Sequence, residues 1–295
     1  MGYLASLFPP APDIGVRGDP GLFGPGSQVW RIGRERALIA AGPAALLLQL
    51  AHPLVAAGVA KHSVFRTDPL HRLRATLDAT LTVVFGDTEQ ATAAAARVRG
   101  RHRQVSGHTD STVGRFPAGT AYRAGDPRLA LWVHSTLVWT ALQFYNGFVS
   151  PLSLEQRSDY YLRMNRSGRL FGVPQSQLPA SYADFEQYVL GMDAGAVLEV
   201  GPQARALASD VLTSGAAELV WPIGPSAGAL AGVLAAGLLP SRLREGYDLS
   251  WGWPQRQAFS AAQLACRTAL PALPPGARYW PHYLVAQRRL LPQQQ

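Results

Sequence analysis

Hydrophobic side chains recur at helical spacing along most of this chain. From Gln28 onward, long segments repeat apolar residues every three to four positions, and short turns rich in Gly, Pro, Asp and Ser separate them. The alternation with a period of two that marks strands is nearly absent. The pattern predicts an all-α fold with helices near 28–50, 53–62, 69–85, 88–105, 127–148, 154–171, 182–193, 203–214, 226–238 and 256–270.

Two of these helices carry clear start signals. Asp87 and Gln90 have the spacing of a capping box, in which side chains satisfy backbone N–H groups that a first helical turn leaves unpaired. Asp126-Pro127 is the second signal, because aspartate caps a helix and proline fits its first turn. The segment after Pro127 is apolar on nearly every side, so it predicts a helix at the centre of the core.

The first 27 residues differ from the rest of the chain. Residues 1–27 are rich in proline and glycine and show no sustained periodicity, so they predict an N-terminal arm that wraps the body. The remaining range, 28–295, predicts a single all-helical domain. A chain of 295 residues with 47% hydrophobic composition can bury one large core without a second domain.

Two apolar stretches raise the question of a membrane span. The run 37–60 is interrupted by Pro43, His52 and Pro53, and the run 227–239 is too short to cross a bilayer. Both predict buried helices rather than transmembrane segments. The N-terminus has neither a basic leader nor a compact apolar core, so a secretory signal is not expected.

The chain is basic but sparsely charged. Its formal net charge is +8 with 16% charged residues, and every cation is an arginine except Lys61. The arginines are spread without the dense runs that follow a phosphate backbone, so we expect no nucleic-acid partner. The single cysteine, Cys266, cannot form an intramolecular disulfide or build a zinc site alone. We expect a cytoplasmic protein, and these features do not predict its oligomeric state.

His102 is the first residue with candidate chemistry. It lies near the end of a predicted helix, and Ala95, Val98 and Val105 fall on its side of that helix. A histidine in such a stripe is either a hydrogen-bonded core residue or a metal ligand. Arg99, one turn earlier, is either a solvated cation or the partner of an anion. A haem needs this combination, since its iron takes one imidazole nitrogen and its propionates take cations.

The helix near 69–85 carries a second polar pair. Arg72 and Thr76 are four residues apart, so both side chains leave the same face of the helix. A cation and a hydroxyl in this arrangement can hold a propionate or orient O2 at an iron. The alternative is an arginine in the first turn and a threonine that bonds back to its own helix.

The central helix carries a rival ligand. His134 lies on it two residues before Thr136, whose hydroxyl is a candidate for the surroundings of an iron. His52, at the break before Pro53, predicts either a pocket-lining residue or a cap of the preceding helix. The remaining histidines stand in polar or terminal settings and are predicted at the surface: His62, His71, His108 and His282.

Other catalytic templates are absent from the sequence. It has no glycine-rich phosphate loop, no His-Glu-x-x-His zinc pattern, no Gly-x-Ser-x-Gly elbow and no Glu-x-x-His pair of the di-iron type. A non-haem metal site would have to draw on His52, His102 and His134.

Several segments occur in an order and spacing that resemble one known family. The resemblance is to the latex-clearing-protein, or rubber oxygenase, catalytic-domain family, which also includes the fungal oxygenase of mycophenolic acid biosynthesis. It covers roughly residues 28–250. The segments that carry it are 48–53 with His52-Pro53, 68–76, 84–87, His102, and 122–136 with Asp126-Pro127 and Trp132-Val133-His134-Ser135-Thr136.

The resemblance implies an all-α fold around a b-type haem, a histidine ligand to the iron, and oxygen-dependent cleavage of carbon–carbon double bonds in isoprenoids. Carried over by position, it implies His102 as the ligand and Arg99 as the arginine one turn before it. The helical pair falls on Arg72 and Thr76, and a pocket threonine falls on Thr136.

Two departures bear on the substrate. In the polyisoprene-cleaving members, a lysine precedes the helical threonine, and here that position is Ala75. Their proposed catalytic glutamate would fall in the apolar run Ala56 to Ala60, which has no carboxylate. We therefore expect a haem-b oxygenase that uses O2 on a hydrophobic small molecule, such as an isoprenoid or another alkene. The alternatives are a haem peroxidase or peroxygenase, and a non-catalytic haem-binding gas or redox sensor.

Overall fold

The computed structural model of the chain describes residues 9–62, 69–212 and 227–292, without the side chains of 69–73, 227 and 228. Helices dominate these ranges, and the all-α prediction is confirmed. The helices are α1 (Gln28–Gly33), α2 (Gly42–Leu50), α3 (Pro53–His62), α4 (Pro69–Phe85), α5 (Thr88–His102), α6 (Pro127–Phe144), α7 (Leu154–Leu170), α8 (Tyr182–Ala194), α9 (Pro202–Asp210), α10 (Ala227–Leu238), α11 (Ser241–Gly246), α12 (Trp253–Ala269), α13 (Pro275–Arg278) and α14 (Pro281–Leu290).

A two-stranded antiparallel sheet interrupts the helices. β1 (Ser106–His108) pairs with β2 (Ala121–Arg123), with Gly107 opposite Tyr122. The sheet follows α5 directly, and the Val105 N–H donates to the His102 carbonyl where the helix ends. The predicted helix 88–105 is therefore three residues too long, because the chain turns towards the first strand after His102.

The predicted start signals form as expected. Asp87 accepts from the Gln90 N–H, and the Gln90 side chain accepts from the Asp87 N–H, which completes the capping box of α5. Asp126 accepts from the Arg128 N–H at the start of α6, with Pro127 in the first turn. Each signal is local, so the sequence is sufficient to locate it.

The prediction of one helix over 28–50 is wrong. The chain leaves α1 after Gly33, Glu35 is extended with φ −73° and ψ 116°, and a 3₁₀ segment (Arg36–Ala41) leads into α2. Glu35 forms a bridge with Tyr279, and its buried carboxylate accepts two hydrogen bonds from Arg278, at 2.8 and 2.9 Å. The contact of Glu35 with Arg278, which lies 243 positions later in the sequence, thus overrides the local helical preference.

The C-terminal helix α14 was not predicted, and it is part of the core. Trp280, Tyr283 and Arg289 are buried there. The prediction that His282 lies at the surface is wrong, since this ring is buried where α14 packs against α4. Burial lowers the pKa of His282, although Asp78, 3.5 Å from its Nε2, opposes the effect. Pro281 in the first turn of α14 is the local signal that could have indicated this helix.

The central position predicted for α6 is observed. This helix packs against α1, α2, α7, α8 and α10. Val138 belongs to the core cluster with Trp30 and Phe85, and Trp132 belongs to a second cluster with Leu47 and other residues of α2. Side chains on different faces of α6 therefore contact different parts of the core.

The described part of the N-terminal arm, 9–27, is tied to the turn between α4 and α5. The Val16 N–H donates to Asp87, and Asp19 accepts from the backbone N–H of Thr88. The buried Arg289 guanidinium donates to the carbonyls of Asp19 and Phe85. These contacts hold the arm, the turn and α14 together.

Among the described residues, no single helix is both long enough and apolar enough to cross a bilayer. Arg36–Leu50 and Pro53–His62 satisfy the length and composition criteria only when taken together, and they meet at 108°. The bend lies at Ala51-His52, directly before Pro53 begins the next helix.

Candidate functional site

α4 and α5 form an antiparallel helical hairpin around Gly86-Asp87. The Gly86 N–H donates to the Thr82 carbonyl, and a Cβ on Gly86 would lie 2.5 Å from that oxygen, so the tight turn requires glycine. Asp87 then caps α5. The two helices pack against each other along the hairpin.

The hairpin brings four predicted site residues to its open end. Arg72 lies 14 residues before Gly86, and His102 lies 15 residues after Asp87. At about 1.5 Å per helical residue, both are roughly 20 Å from the turn. Thr76 and Arg99 lie one turn or less nearer to it on the same two helices. Residue counting thus puts the backbones of Arg72 and Thr76 at about the same distance from the turn as those of His102 and Arg99.

His102 is the last residue of α5, where the apolar stripe of that helix leaves the core. Ala91 and Ala95 are buried, Val98 is half-buried, and His102 and Arg99 are exposed. Thr76 is exposed on α4, and the Arg72 side chain lies outside the described part of the structure. The stripe predicted from the spacing is present, and its last residue, His102, is exposed.

Small and aromatic residues form an apolar wall next to this end of the hairpin. Val105, just beyond His102, lies 3.9 Å from the position of a Cβ on Gly58 in α3, and the Tyr122 ring lies 3.5 Å from the same position. His62 packs edge-on against Tyr122 at 6.2 Å between ring centroids, and its Nε2 is 3.0 Å from the Ser106 carbonyl oxygen. Gly58 and Tyr122 were not singled out from the sequence as wall residues.

His134 lies elsewhere, in the contact between α6 and α7. Its ring is buried, and Nε2 makes no hydrogen bond of good geometry with the described residues. A Cβ on Gly168 of α7 would lie 3.2 Å from both Nε2 and Cδ2 of the ring. Burial lowers the pKa of His134 to about 4, with the nearby Asn165 side chain acting in the opposite direction. The imidazole is therefore neutral near pH 7, and its Nε2 is sealed against α7.

Asn165 and Gly168 are residues that sequence reasoning missed. They confine the His134 ring, and Asn165 Oδ1 is itself buried without a hydrogen-bond partner among the described residues. An asparagine and a glycine three residues apart on a helix are too common to indicate a site, so only the packing of α7 against α6 reveals them.

Thr136 does not face His134. The two residues are two positions apart on α6, which turns their side chains about 200° from each other. The Thr136 hydroxyl donates to the Val133 carbonyl at 2.8 Å and accepts from Gln49 of α2 at 3.1 Å. The hydroxyl hydrogen of Thr136 and one lone pair of its oxygen are therefore both used within the contact between α2 and α6.

His52 directly precedes α3 and caps the start of that helix rather than the end of the preceding one. Its Nδ1 accepts from the Leu54 N–H at 3.3 Å, and its ring lies 5.4 Å from that of Phe116. Burial, aided by Arg115, lowers its pKa to about 4. Within the described ranges, no three His, Cys, Asp or Glu side chains come together as a metal site. A haem requires only one protein ligand.

Comparison with known proteins gives a family. Neither the curated proteins nor the solved structures contain a match to the chain. A family model described as ER-bound oxygenase mpaB/B'/Rubber oxygenase, catalytic domain, matches residues 29–270. This range includes the α4–α5 hairpin, the two strands and His134, and it ends before α14. Because the match covers most of the chain, the protein belongs to the mpaB/B' and rubber oxygenase catalytic-domain family.

Proposed function

We propose that this oxygenase is haem-b dependent and uses O2 to oxidise a hydrophobic small molecule, such as an isoprenoid or another alkene. The proposal is supported by the bounds of α4 and α5, from which residue counting puts Arg72, Thr76, Arg99 and His102 at similar distances from the turn that joins the two helices. Ground-state O2 reacts slowly with an unactivated alkene, so an oxygenase for such a substrate needs a cofactor that activates O2.

The donor set at the hairpin end fits haem b chemically. His102 offers an imidazole, and Arg72 and Arg99 offer guanidinium groups on facing helices that can form charge-assisted hydrogen bonds with two propionates. A macrocycle also requires apolar surface. The half-buried Val98 on α5 and the wall of Gly58 and Tyr122 supply it.

His134 fits this role less well than His102. Its neutral imidazole suits a ligand, but Nε2 is sealed by the backbone of Gly168, so an iron at that nitrogen would require α7 to move away from α6. His102 requires no such separation, because its ring is exposed at the end of α5. The proposal therefore assigns the iron to His102 and a packing role to His134.

The bound haem supplies the oxygen chemistry. In this assignment, His102 holds the group through one ring nitrogen. Arg72 and Arg99 fix its orientation by pairing with the propionates, and Thr76 donates a hydrogen bond to a propionate or into the distal pocket. Thr136, whose hydroxyl is engaged by Gln49 and Val133, contributes to the α2–α6 contact instead. The apolar wall excludes water and orients an alkene.

The residues of α3 and α4 near this wall favour one class of substrate. Ala56 and Ala57 are buried on α3, and no carboxylate lies between Ala56 and Ala60. Ala75 stands where the polyisoprene-cleaving relatives have a lysine. A site that lacks both this lysine and a carboxylate offers a substrate mainly apolar contact. Such a site favours an uncharged, hydrophobic molecule.

Absorption and oxygen-uptake measurements on the purified full chain test the proposal. After haem is supplied, we expect a Soret band and O2 consumption that depends on an added short isoprenoid alkene. Absence of a Soret band would rule the proposal out. Turnover with peroxide but not with O2 would favour a peroxygenase, and reversible CO binding without alkene-dependent O2 uptake would favour a sensor.

A further inference from the structure

An open pocket of about 260 Å³ lies between α1 and α14. Its inner wall includes Trp30, whose indole N–H donates to the Val84 carbonyl near the end of α4. The pocket is thus next to the turn of the α4–α5 hairpin, whereas Arg72 and His102 lie at the open end, roughly 20 Å away along the helices. The two sites are separate.

Polar side chains from both sides line the pocket: Ser27, Arg31 and Arg34 at α1 and its two ends, and Tyr283 and Gln287 on α14. Arg31 lies on α1, and Arg34, three positions later, directly follows this helix with a helical backbone, so the two side chains share a face. Tyr283 and Gln287 are four residues apart on one face of α14. The Tyr283 hydroxyl oxygen accepts from Arg34 Nη1 at 3.3 Å and from Gln287 Nε2 at 2.8 Å. Since both bonds use its lone pairs, the phenol hydrogen is left to donate to a ligand.

Two carboxylates on this side of the molecule, Glu35 and Asp159, are engaged by other arginines. Glu35 lies 3.6 Å from Arg34 Nε, but both of its oxygens accept from Arg278, at 2.8 and 2.9 Å. Asp159, which accepts from the Gln28 N–H, pairs with Arg163 at 2.6 Å. The pocket therefore has an excess of positive charge, and Arg34 Nε is buried without a hydrogen-bond partner among the described residues.

The apolar side of the pocket is formed by a packed aromatic cluster. Trp30 is buried and packs edge-on against Phe85 at 5.6 Å and against Tyr283 at 5.8 Å between ring centroids. Pro25 adds a second apolar surface. Pockets for drug-sized molecules begin at roughly 300 Å³, so this one admits only a smaller ligand.

We propose that this pocket binds a small organic carboxylate. Arg31, Arg34 and the Tyr283 hydroxyl donate to the carboxylate, and the apolar body of the ligand lies against Trp30 and Pro25. An organic anion matches both the cationic lining and the aromatic wall. Among the described residues, Arg31 has only the neutral Gln28 side chain as an acceptor, at 3.4 Å, and Arg34 shares Glu35 with Arg278, so both have N–H groups to offer to a carboxylate. The proposal does not depend on the presence of haem.

Calorimetric titration of the purified full chain with benzoate at low salt tests this site. We expect saturable binding of one benzoate per chain. Tyr283→Phe keeps the ring and removes the hydroxyl, and Arg31→Gln removes one cation, so each variant should bind about tenfold more weakly. Arg128→Gln is the matched control, because Arg128 is exposed on α6 and pairs with Asp126, and it should leave the affinity unchanged.

Inorganic phosphate provides a second probe. It carries charge but cannot contact Trp30 with an apolar body, so we expect it to bind more weakly than benzoate. Three results would overturn the proposal: no saturable benzoate binding, equal affinity in wild type, Tyr283→Phe and Arg31→Gln, or tighter binding of phosphate than of benzoate. Thermal melts of each variant verify that the fold is retained.

Discussion

The imidazole of His134 and the backbone of Gly168 are in direct contact between α6 and α7. A Cβ on Gly168 would lie 3.2 Å from the ring Nε2, closer than a comfortable van der Waals contact. Glycine at this position lets the two helices approach with the ring between them. The contact accounts for both the burial of His134 and the inaccessibility of its free nitrogen.

Gly168→Ala should destabilise the protein because of this contact. Alanine favours a helix interior by about 1 kcal/mol over glycine, but the crowding of a buried ring costs about 1–3 kcal/mol. We expect a net loss of about 1 kcal/mol in the free energy of unfolding, measured by urea denaturation. In a His134→Ala background the ring is gone, and the same substitution should stabilise instead. Equal effects in both backgrounds would show that the contact is absent.

Stability should also depend on the protonation of His134. Its pKa is about 4 in the folded protein against an ordinary value of 6.5, so the unfolded state binds the proton more readily. Stability from this residue is fully present above pH 6.5 and is lost as the pH falls towards 4. Between pH 7 and pH 4, wild type should lose about 3 kcal/mol more than His134→Ala, because each pKa unit corresponds to about 1.4 kcal/mol.

Urea denaturation of both proteins at each pH provides this comparison. His52 is present in both proteins, so its own low pKa cancels in the difference. Parallel losses of stability in wild type and His134→Ala would contradict the burial of a neutral ring.

Local signals account for the parts of the fold that the sequence predicts. The cap at Asp87 and the turn at Gly86 define the α4–α5 hairpin, and the hairpin register then follows from residue counting. The break at Glu35 could not be predicted, because its cause is Arg278, more than 240 residues away. The burial of His282 likewise depends on the packing of α14 against α4, which no local pattern encodes.

In the candidate site, too, some features follow from local sequence and others depend on distant contacts. The spacing of Arg72 to Thr76 and of Arg99 to His102 places each pair on one helix, and the turn between the helices brings the pairs together. The hydrogen bond from Gln49 to Thr136 joins residues 87 positions apart, so the engagement of that hydroxyl was not predictable.

Arg99 should affect how long haem stays bound. If Arg99 pairs with a haem propionate as proposed, Arg99→Gln removes that charge-assisted hydrogen bond and should release haem to an excess of apomyoglobin about tenfold faster. Arg101→Gln is the matched control, since Arg101 is also exposed on α5 and points about 200° away. If both variants released haem at the same rate, Arg99 would not be the propionate partner.

Haem retention in His102→Ala and His134→Ala tests the central claim most directly. Wild type and both variants are supplied with haem, desalted, and compared by Soret absorbance per folded chain, with circular dichroism verifying the fold. We predict that wild type and His134→Ala retain the band and that His102→Ala loses it, since His102 provides the only bond from the protein to the iron in this account. Retention of the full band by folded His102→Ala, or its loss in folded His134→Ala, would contradict the assignment.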